Sequence, residues 1–219
     1  MAVLPPISWL SVDNEILEAQ ERVVSYLRRM GLRVDEVAPE GFGDLRHYYS
    51  LYLSILTATT SAGLPRAIRF LHALASRSYG SELLAARASG LLASASDYIT
   101  WYAQRERFRA AYRVFFREWD ILLTPANIVN AFPHTNLPFH KRRLDVNGQQ
   151  VAYLLQNVYP GLATLCGQPA TVFPVGFTRA GLPTGLQVIG PYLEDRTTLH
   201  FVTLFAREFG GFCPPPAYV

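Results

Sequence analysis

The feature that most restricts the fold is a pattern of strand, turn, strand and helix between residues 160 and 210. Residues 169–174 form an apolar run bounded by prolines, which predicts a strand. Residues 179–181 contain a turn, and residues 184–190 predict a second strand. Apolar residues then recur at helical spacing up to position 209. The pattern predicts two neighbouring strands of one sheet with a helix packed on them.

A second alternation of helix and strand lies near the start of the chain. Residues 13–30 carry apolar side chains at helical spacing, and Gly31 is a typical helix end. Residues 32–37 then predict a short strand that Pro39 stops. We therefore expect an α/β fold in which a mixed sheet is flanked by helices, with another strand at residues 121–124.

Between these blocks, residues 44–118 predict an almost wholly helical region, and residues 126–150 predict a long polar loop. An aromatic stripe in the last helix of that region is interpreted as core packing rather than a ligand site. Its members are Tyr98, Trp101, Tyr102, Phe108, Tyr112, Phe115 and Phe116.

Composition excludes several classes of function. The formal net charge is +3, from 20 basic and 17 acidic residues, which is too small an excess to indicate nucleic acid binding. Two cysteines exclude a disulfide-dense scaffold or a four-cysteine zinc site. No targeting segment and no membrane-spanning run is visible, so we expect a soluble cytoplasmic protein that does not bind membranes.

Motifs for nucleotide, metal or hydrolytic chemistry are missing from the sequence. There is no Gly-x-Ser-x-Gly elbow, no Ser-Ser pair and no phosphate-binding loop. His134, His140 and Asp145 share one loop, but their spacing matches no known set of metal ligands. Lys141 is the only lysine, so a mechanism that needs a lysine base has a single candidate. We therefore expect neither a metal nor a cofactor.

The C-terminal block resembles a known family. Residues 161–178 contain Gly-Gln-Pro-Ala and Pro-Val-Gly, and residues 181–190 read Gly-Leu-Pro-Thr-Gly-Leu-Gln-Val-Ile-Gly. Upstream, residues 103–107 read Ala-Gln-Arg-Glu-Arg and residues 119–125 read Trp-Asp-Ile-Leu-Leu-Thr-Pro. In this order and spacing, these motifs resemble the C-terminal half of the amidase signature family.

The resemblance implies which parts of an enzyme are missing. The family hydrolyses amide bonds with a serine nucleophile, a second serine joined through a cis peptide, and a lysine. Those groups lie in the family's N-terminal half, so no catalytic role carries over to any position here. The fold it implies is an incomplete amidase-signature-type α/β/α fold, with residues 1–219 as the C-terminal portion of an amidase domain.

The resemblance also suggests a wall of the substrate pocket. It places Gln104 and Arg107 on a helix that reaches the pocket in some members, and Asn157, Cys166 and Gln168 near a bordering strand. Arg107 has the geometry to bind a carboxylate through two hydrogen bonds. The alternatives stay open: a surface arginine in one case, and loop packing in the other.

Two hypotheses of function follow. The first is the C-terminal part of an amide hydrolase, inactive alone, whose partner would be a complementary N-terminal half. The second is a non-catalytic module that binds a small molecule or a protein. In either case an uncovered sheet edge and apolar surface predict self-association of the isolated chain.

Overall fold

The computed structural model describes residues 1–77 and 82–214. The predicted helical region 44–118 therefore includes residues 78–81, which lie outside the described residues, as does the tail from 215. The α-helices are α1 (Asn14–Arg29), α2 (Arg46–Thr60), α3 (Arg66–Arg77), α4 (Glu82–Leu91), α5 (Ala95–Phe115), α6 (Val158–Cys166) and α7 (Asp195–Phe209).

The strands form a mixed sheet, as the sequence predicts. They are β1 (Ala2–Val3), β2 (Asp35–Glu36), β3 (Leu122–Pro125), β4 (Arg143–Val146), β5 (Gln149–Ala152), β6 (Ala170–Phe177) and β7 (Pro183–Ile189). The main sheet has the order β2-β1-β3-β7-β6. Strand β1 pairs in parallel with β2 and β3, whereas β7 pairs antiparallel with β3 and β6. The α/β class with a mixed sheet is therefore confirmed.

Helices cover the two faces of this sheet. Helix α1 contacts β3, β6 and β7, and α7 contacts β6. Phe173 of β6 packs edge-on against Phe205 of α7, with ring centroids 4.9 Å apart, so this face belongs to α1 and α7. On the opposite face, the Gln187 amide of β7 donates to the Tyr159 carbonyl of α6 at 3.2 Å. Helix α6 in turn contacts α2 and α5.

Buried tyrosines join the helical region to the sheet layer. Tyr48 and Tyr112 are fully buried, and both hydroxyls donate to the Leu162 carbonyl of α6, at 2.6 and 3.1 Å. The Tyr49 hydroxyl donates to the Leu154 carbonyl. Within the aromatic stripe of α5, Phe108, Tyr112 and Phe115 are buried, which agrees with the interpretation as core packing.

Helix α4 lies unusually close to α2, and a glycine makes this approach possible. A Cβ atom on Gly90 would stand 2.4 Å from the Ser54 carbonyl oxygen and 2.7 Å from the Thr57 Cβ. Only glycine allows backbones to meet at such distances, so it offsets its poor helix propensity by permitting the contact.

Helix α3 buries small side chains and exposes large apolar ones, the reverse of an ordinary amphipathic helix. Its small residues Ala73 and Ser76 are buried, whereas the large apolar side chains of Phe70, Leu71 and Leu74 are exposed. Within the described residues this apolar face has no cover. An apolar helix face in water indicates a surface that is available for association.

Two local predictions are wrong. The expected loop at 126–150 contains the hairpin of β4 and β5, turned by Asn147 and Gly148, which both have positive φ. That Asn-Gly pair is the preferred sequence for a tight hairpin turn. The expected strand at 32–37 is reduced to Asp35–Glu36. No described helix is long and apolar enough to span a bilayer.

Candidate functional site

Helix α5 carries two of the expected site residues, Gln104 and Arg107. Arg107 is exposed and Gln104 is partly buried. Instead, Arg105 reaches α6: its Nε donates to the Leu165 carbonyl at 2.6 Å, and its guanidinium lies over the Tyr102 ring. The arginine that touches the end of α6 is thus two positions before the one that the motif suggested.

Cys166 lies in the core at the end of α6. It is fully buried, and the Tyr48 hydroxyl that bonds Leu162 also lies 3.2 Å from its Sγ. Burial raises the pKa of the Cys166 thiol to about 11, against a small opposing effect of the Tyr48 hydrogen bond. A neutral thiol is a poor nucleophile, so this arrangement gives Cys166 a packing role.

The different environments of the two cysteines predict a difference in reactivity. Cys213 is exposed and Cys166 is buried, and neither forms a disulfide. We expect a maleimide at neutral pH to label the native chain once, rapidly, and a second time only in denaturant, because the thiolate of Cys166 is disfavoured. Mass spectrometry counts the labels. Rapid native labelling of Cys213→Ser would contradict the buried position of Cys166.

Asn157 and Gln168 stand at the two ends of α6. Asn157 is partly buried and occupies the position before the helix without forming a side-chain cap. Gln168 is buried, and its Oε1 has no hydrogen-bond partner in the described part of the chain. An unpaired buried acceptor costs about 1–3 kcal/mol. Among the expected site residues, Gln168 is therefore the one whose buried side-chain oxygen lacks a hydrogen bond within the described part of the chain.

Sequence reasoning missed a buried polar pair inside the sheet. Gln187 and Thr124 lie opposite each other on β7 and β3, and the Gln187 Nε2 donates to the Thr124 Oγ1 at 3.2 Å. Both residues are almost fully buried. Both are polar residues within largely apolar strands that belong to the family motifs. A polar residue in such a strand was the sign of a buried polar pair that the sequence offered.

The only lysine of the sequence lines a cavity that also contains other charged side chains. This cavity, of about 590 Å³, lies beyond the end of β3. Its lining includes Asp13, His134, Lys141 and Asp145, but no serine. Among the side chains that the structure describes, which do not include that of His140, no serine hydroxyl bonds to Lys141 or to a histidine ring. The same residues contain no group of three or more histidine, cysteine or acidic side chains placed to hold a metal.

Comparison with known proteins decides the family. A family model described as Amidase matches residues 1–199. The chain belongs to the amidase family. It is 30% identical over 228 aligned positions to the A subunit of the glutamyl-tRNA(Gln) amidotransferase of Thermus thermophilus, a match that covers 92% of this chain and 45% of that protein. The corresponding subunit from Wolbachia sp. of Drosophila simulans is 26% identical, with 94% and 43% covered.

Solved structures of amidase-family proteins share the fold. A crystal structure described as an amidase superposes with a TM-score of 0.70 at 21% identity, covering 96% of this chain and 45% of that chain. The structure of the corresponding amidotransferase subunit from Thermotoga maritima gives 0.65 at 21%, covering 98% and 44%. The chain therefore spans less than half the length of the relatives it matches, and the resemblance to the family's C-terminal half is confirmed.

Proposed function

We propose that this chain is the C-terminal part of an amide-bond hydrolase and that it is inactive by itself. The observation that carries the proposal is that no serine is among the described residues lining the cavity at Lys141, in a chain that spans 45% of the length of its relative. Amide hydrolysis by a serine nucleophile needs a base within hydrogen-bond reach of that serine. Without them, the tetrahedral intermediate does not form.

The role proposed for this chain is to support and wall the substrate pocket. Gln104, Arg107 and Asn157 remain candidates for substrate contact, because each is at least partly accessible. The buried Gln187–Thr124 hydrogen bond joins β7 to β3 within the sheet. The nucleophile, the base and the donors that stabilise the oxyanion would come from a complementary N-terminal segment. The two unpaired cysteines favour the reducing cytoplasm as the compartment.

An ammonia-release assay with glutamine and simple aliphatic amides tests this proposal. We expect the purified chain to show the rate of the buffer blank. The same chain, joined behind the segment that precedes the matched region in the Thermus thermophilus amidotransferase subunit, should release ammonia well above it. Amide hydrolysis that co-elutes with the isolated chain and survives Lys141→Met would contradict the missing nucleophile and base.

A second candidate is a non-catalytic interaction module. The exposed apolar face of α3, with Phe70, Leu71 and Leu74, favours it, because such a face is typical of an association surface. In this case the isolated chain self-associates or binds a partner, and joining it to a catalytic segment restores no turnover. The ammonia assay on the joined protein therefore separates the two functions.

A further inference from the structure

Helix α3 turns its large apolar side chains away from the protein. It packs on α4 through Ala73 and Ser76, and the Arg87 Nη1 of α4 donates to the Ser76 Oγ at 3.0 Å. The large apolar residues of the helix lie on its other side and are exposed in the described part of the chain. They are Ile68, Phe70, Leu71 and Leu74, and Leu64 just before the helix is exposed as well.

These side chains form one continuous arc around the helix. At about 100° per residue, the arc runs from Phe70 to Ile68 and covers about 160°. Arg66 and His72 lie about 40° beyond its two borders, and both are exposed. A wide apolar arc with polar groups at its borders is typical of a helix that lies in the plane of a membrane surface, where long cationic side chains reach the headgroups.

Charge is divided unevenly along the chain. Residues 45–117, which contain α2 to α5, carry ten of the 20 basic residues and three of the 17 acidic ones. The formal net charge of this region is therefore +7, and that of the remaining sequence is −4. No acidic residue occurs between Asp44 and Glu82, the interval that contains α3. A basic region around an exposed apolar helix favours an anionic partner.

The charge of this region also argues against a second copy as the occupant. Arg66 and Arg69 form no ion pair within residues 1–77 and 82–214. Two α3 helices packed face to face would add the positive charge of both copies at one interface, while residues 45–81 offer no acidic side chain to compensate it. Anionic lipid headgroups supply that negative charge, and the acyl chains beneath them accept the apolar arc.

We propose that the apolar arc of α3 inserts into the surface of an anionic lipid bilayer, with the helix lying parallel to the membrane plane. A missing spanning run, on which the expectation of no membrane binding rested, does not exclude a contact of this kind. The inference is independent of the proposed function, because α3 carries none of the expected site residues.

Co-sedimentation of the full chain with vesicles tests the partner. One set of vesicles contains phosphatidylcholine alone, and the other contains about 30% phosphatidylglycerol. We expect the anionic vesicles to bind the chain at least ~tenfold more tightly, and about 0.5 M salt to remove most of that difference, because salt screens surface charge. No binding to the anionic vesicles, or equal binding to both kinds, would overturn the inference.

A matched pair of substitutions locates the contact. Leu74→Glu places a negative charge in the apolar arc, and Val114→Glu makes the same change of charge on α5, where the exposed fraction of the side chain is also 59%. We expect Leu74→Glu to weaken binding to anionic vesicles by about tenfold or more, and Val114→Glu to leave it within about threefold. Circular dichroism first establishes the folding of each variant, and Leu71→Glu replaces Leu74→Glu if that variant does not fold. Equal weakening by the arc and control variants would contradict the position of the contact.

An environment-sensitive fluorophore measures insertion directly. In a Cys213→Ser background, Phe70→Cys places a reactive thiol in the arc and Val114→Cys places one on α5, while Cys166 stays buried. We expect the emission of a nitrobenzoxadiazole label at position 70 to rise at least about twofold with anionic vesicles, and the emission at position 114 to change little. No rise at position 70, or a rise at position 114 alone, would overturn the assignment to α3.

Other occupants of this face give different results. A dimer in sedimentation velocity that is lost in Leu74→Glu, without vesicle binding by the parent chain, would assign the face to a second copy. Binding to soluble polyglutamate without binding to anionic vesicles would indicate an acidic protein instead. Either result overturns the lipid assignment, and neither depends on ammonia release.

Discussion

Above about pH 10 this chain is expected to unfold, because several fully enclosed tyrosines cannot ionise in the folded state. Burial raises the pKa of Tyr48, Tyr49, Tyr112 and Tyr159 from the ordinary value of 10.0. Below that pH the phenols are protonated in both states, and their contribution to stability is complete. As the pH rises further, the unfolded chain releases protons that the folded chain retains, so the free energy of unfolding falls.

The size of this effect follows from the number of tyrosines. Each contributes about 1.4 kcal/mol per pH unit above the unfolded pKa. The four together contribute about 5 kcal/mol per unit, against a typical total of 5–15 kcal/mol for a domain. Far-ultraviolet circular dichroism and phenolate absorbance should therefore change together in one cooperative transition.

A single substitution serves as the control for the predicted unfolding at alkaline pH. Tyr48→Phe removes one titrating group but keeps the buried ring, so the loss of stability per pH unit should become smaller by about a quarter. Gradual ionisation of all the tyrosines with unchanged circular dichroism would contradict the burial of these phenols.

Tyr112→Ala is expected to lower the free energy of unfolding by about 3–5 kcal/mol. The Tyr112 ring is completely buried, lies edge-on to Phe42 with centroids 4.8 Å apart, and stacks on Phe116. Its removal leaves a cavity where α5 meets α6, and the surrounding helices cannot fully close it. Chemical denaturation followed by circular dichroism measures the change.

Tyr112→Phe is the matched control for the cavity. The Leu162 carbonyl would still accept the hydrogen bond from Tyr48 at 2.6 Å, so no buried acceptor is left unpaired. We expect a loss of only about 1 kcal/mol. If alanine and phenylalanine cost the same, the hydroxyl and not the packing of the ring would be the main stabilising feature.

The parts of the fold that could be predicted are those with strong local signals. Strands β6 and β7 and helix α7 were predicted because prolines, a turn and helical spacing mark their boundaries within one continuous segment. Helix α1 was predicted within one residue at each end because its apolar spacing ends at Gly31. The family motifs lie in these same segments.

The parts that could not be predicted depend on distant contacts. Strand β1 has two residues, too few for any periodicity, and exists because β2 and β3 pair with it. The outward direction of the apolar face of α3 depends on which side meets α4, which its own sequence does not encode. The contact of Arg105 rather than Arg107 with α6 is set by the rotation of α5. The hairpin at Asn147–Gly148, in contrast, had a clear local signal that was overlooked.

The central position of β1 has a consequence for folding during synthesis. Ala2 and Val3 pair with Leu122 and Leu123, and β3 then pairs with β7 more than sixty residues later. Helices α2 to α5 are local structures that can form while the ribosome is still adding residues. Strand β1 can pair with β2 early, but its other edge must wait unpaired until β3 has emerged. Slowing translation between residues 60 and 120 should therefore prolong the exposure to chaperones of the β1 edge that β3 later covers.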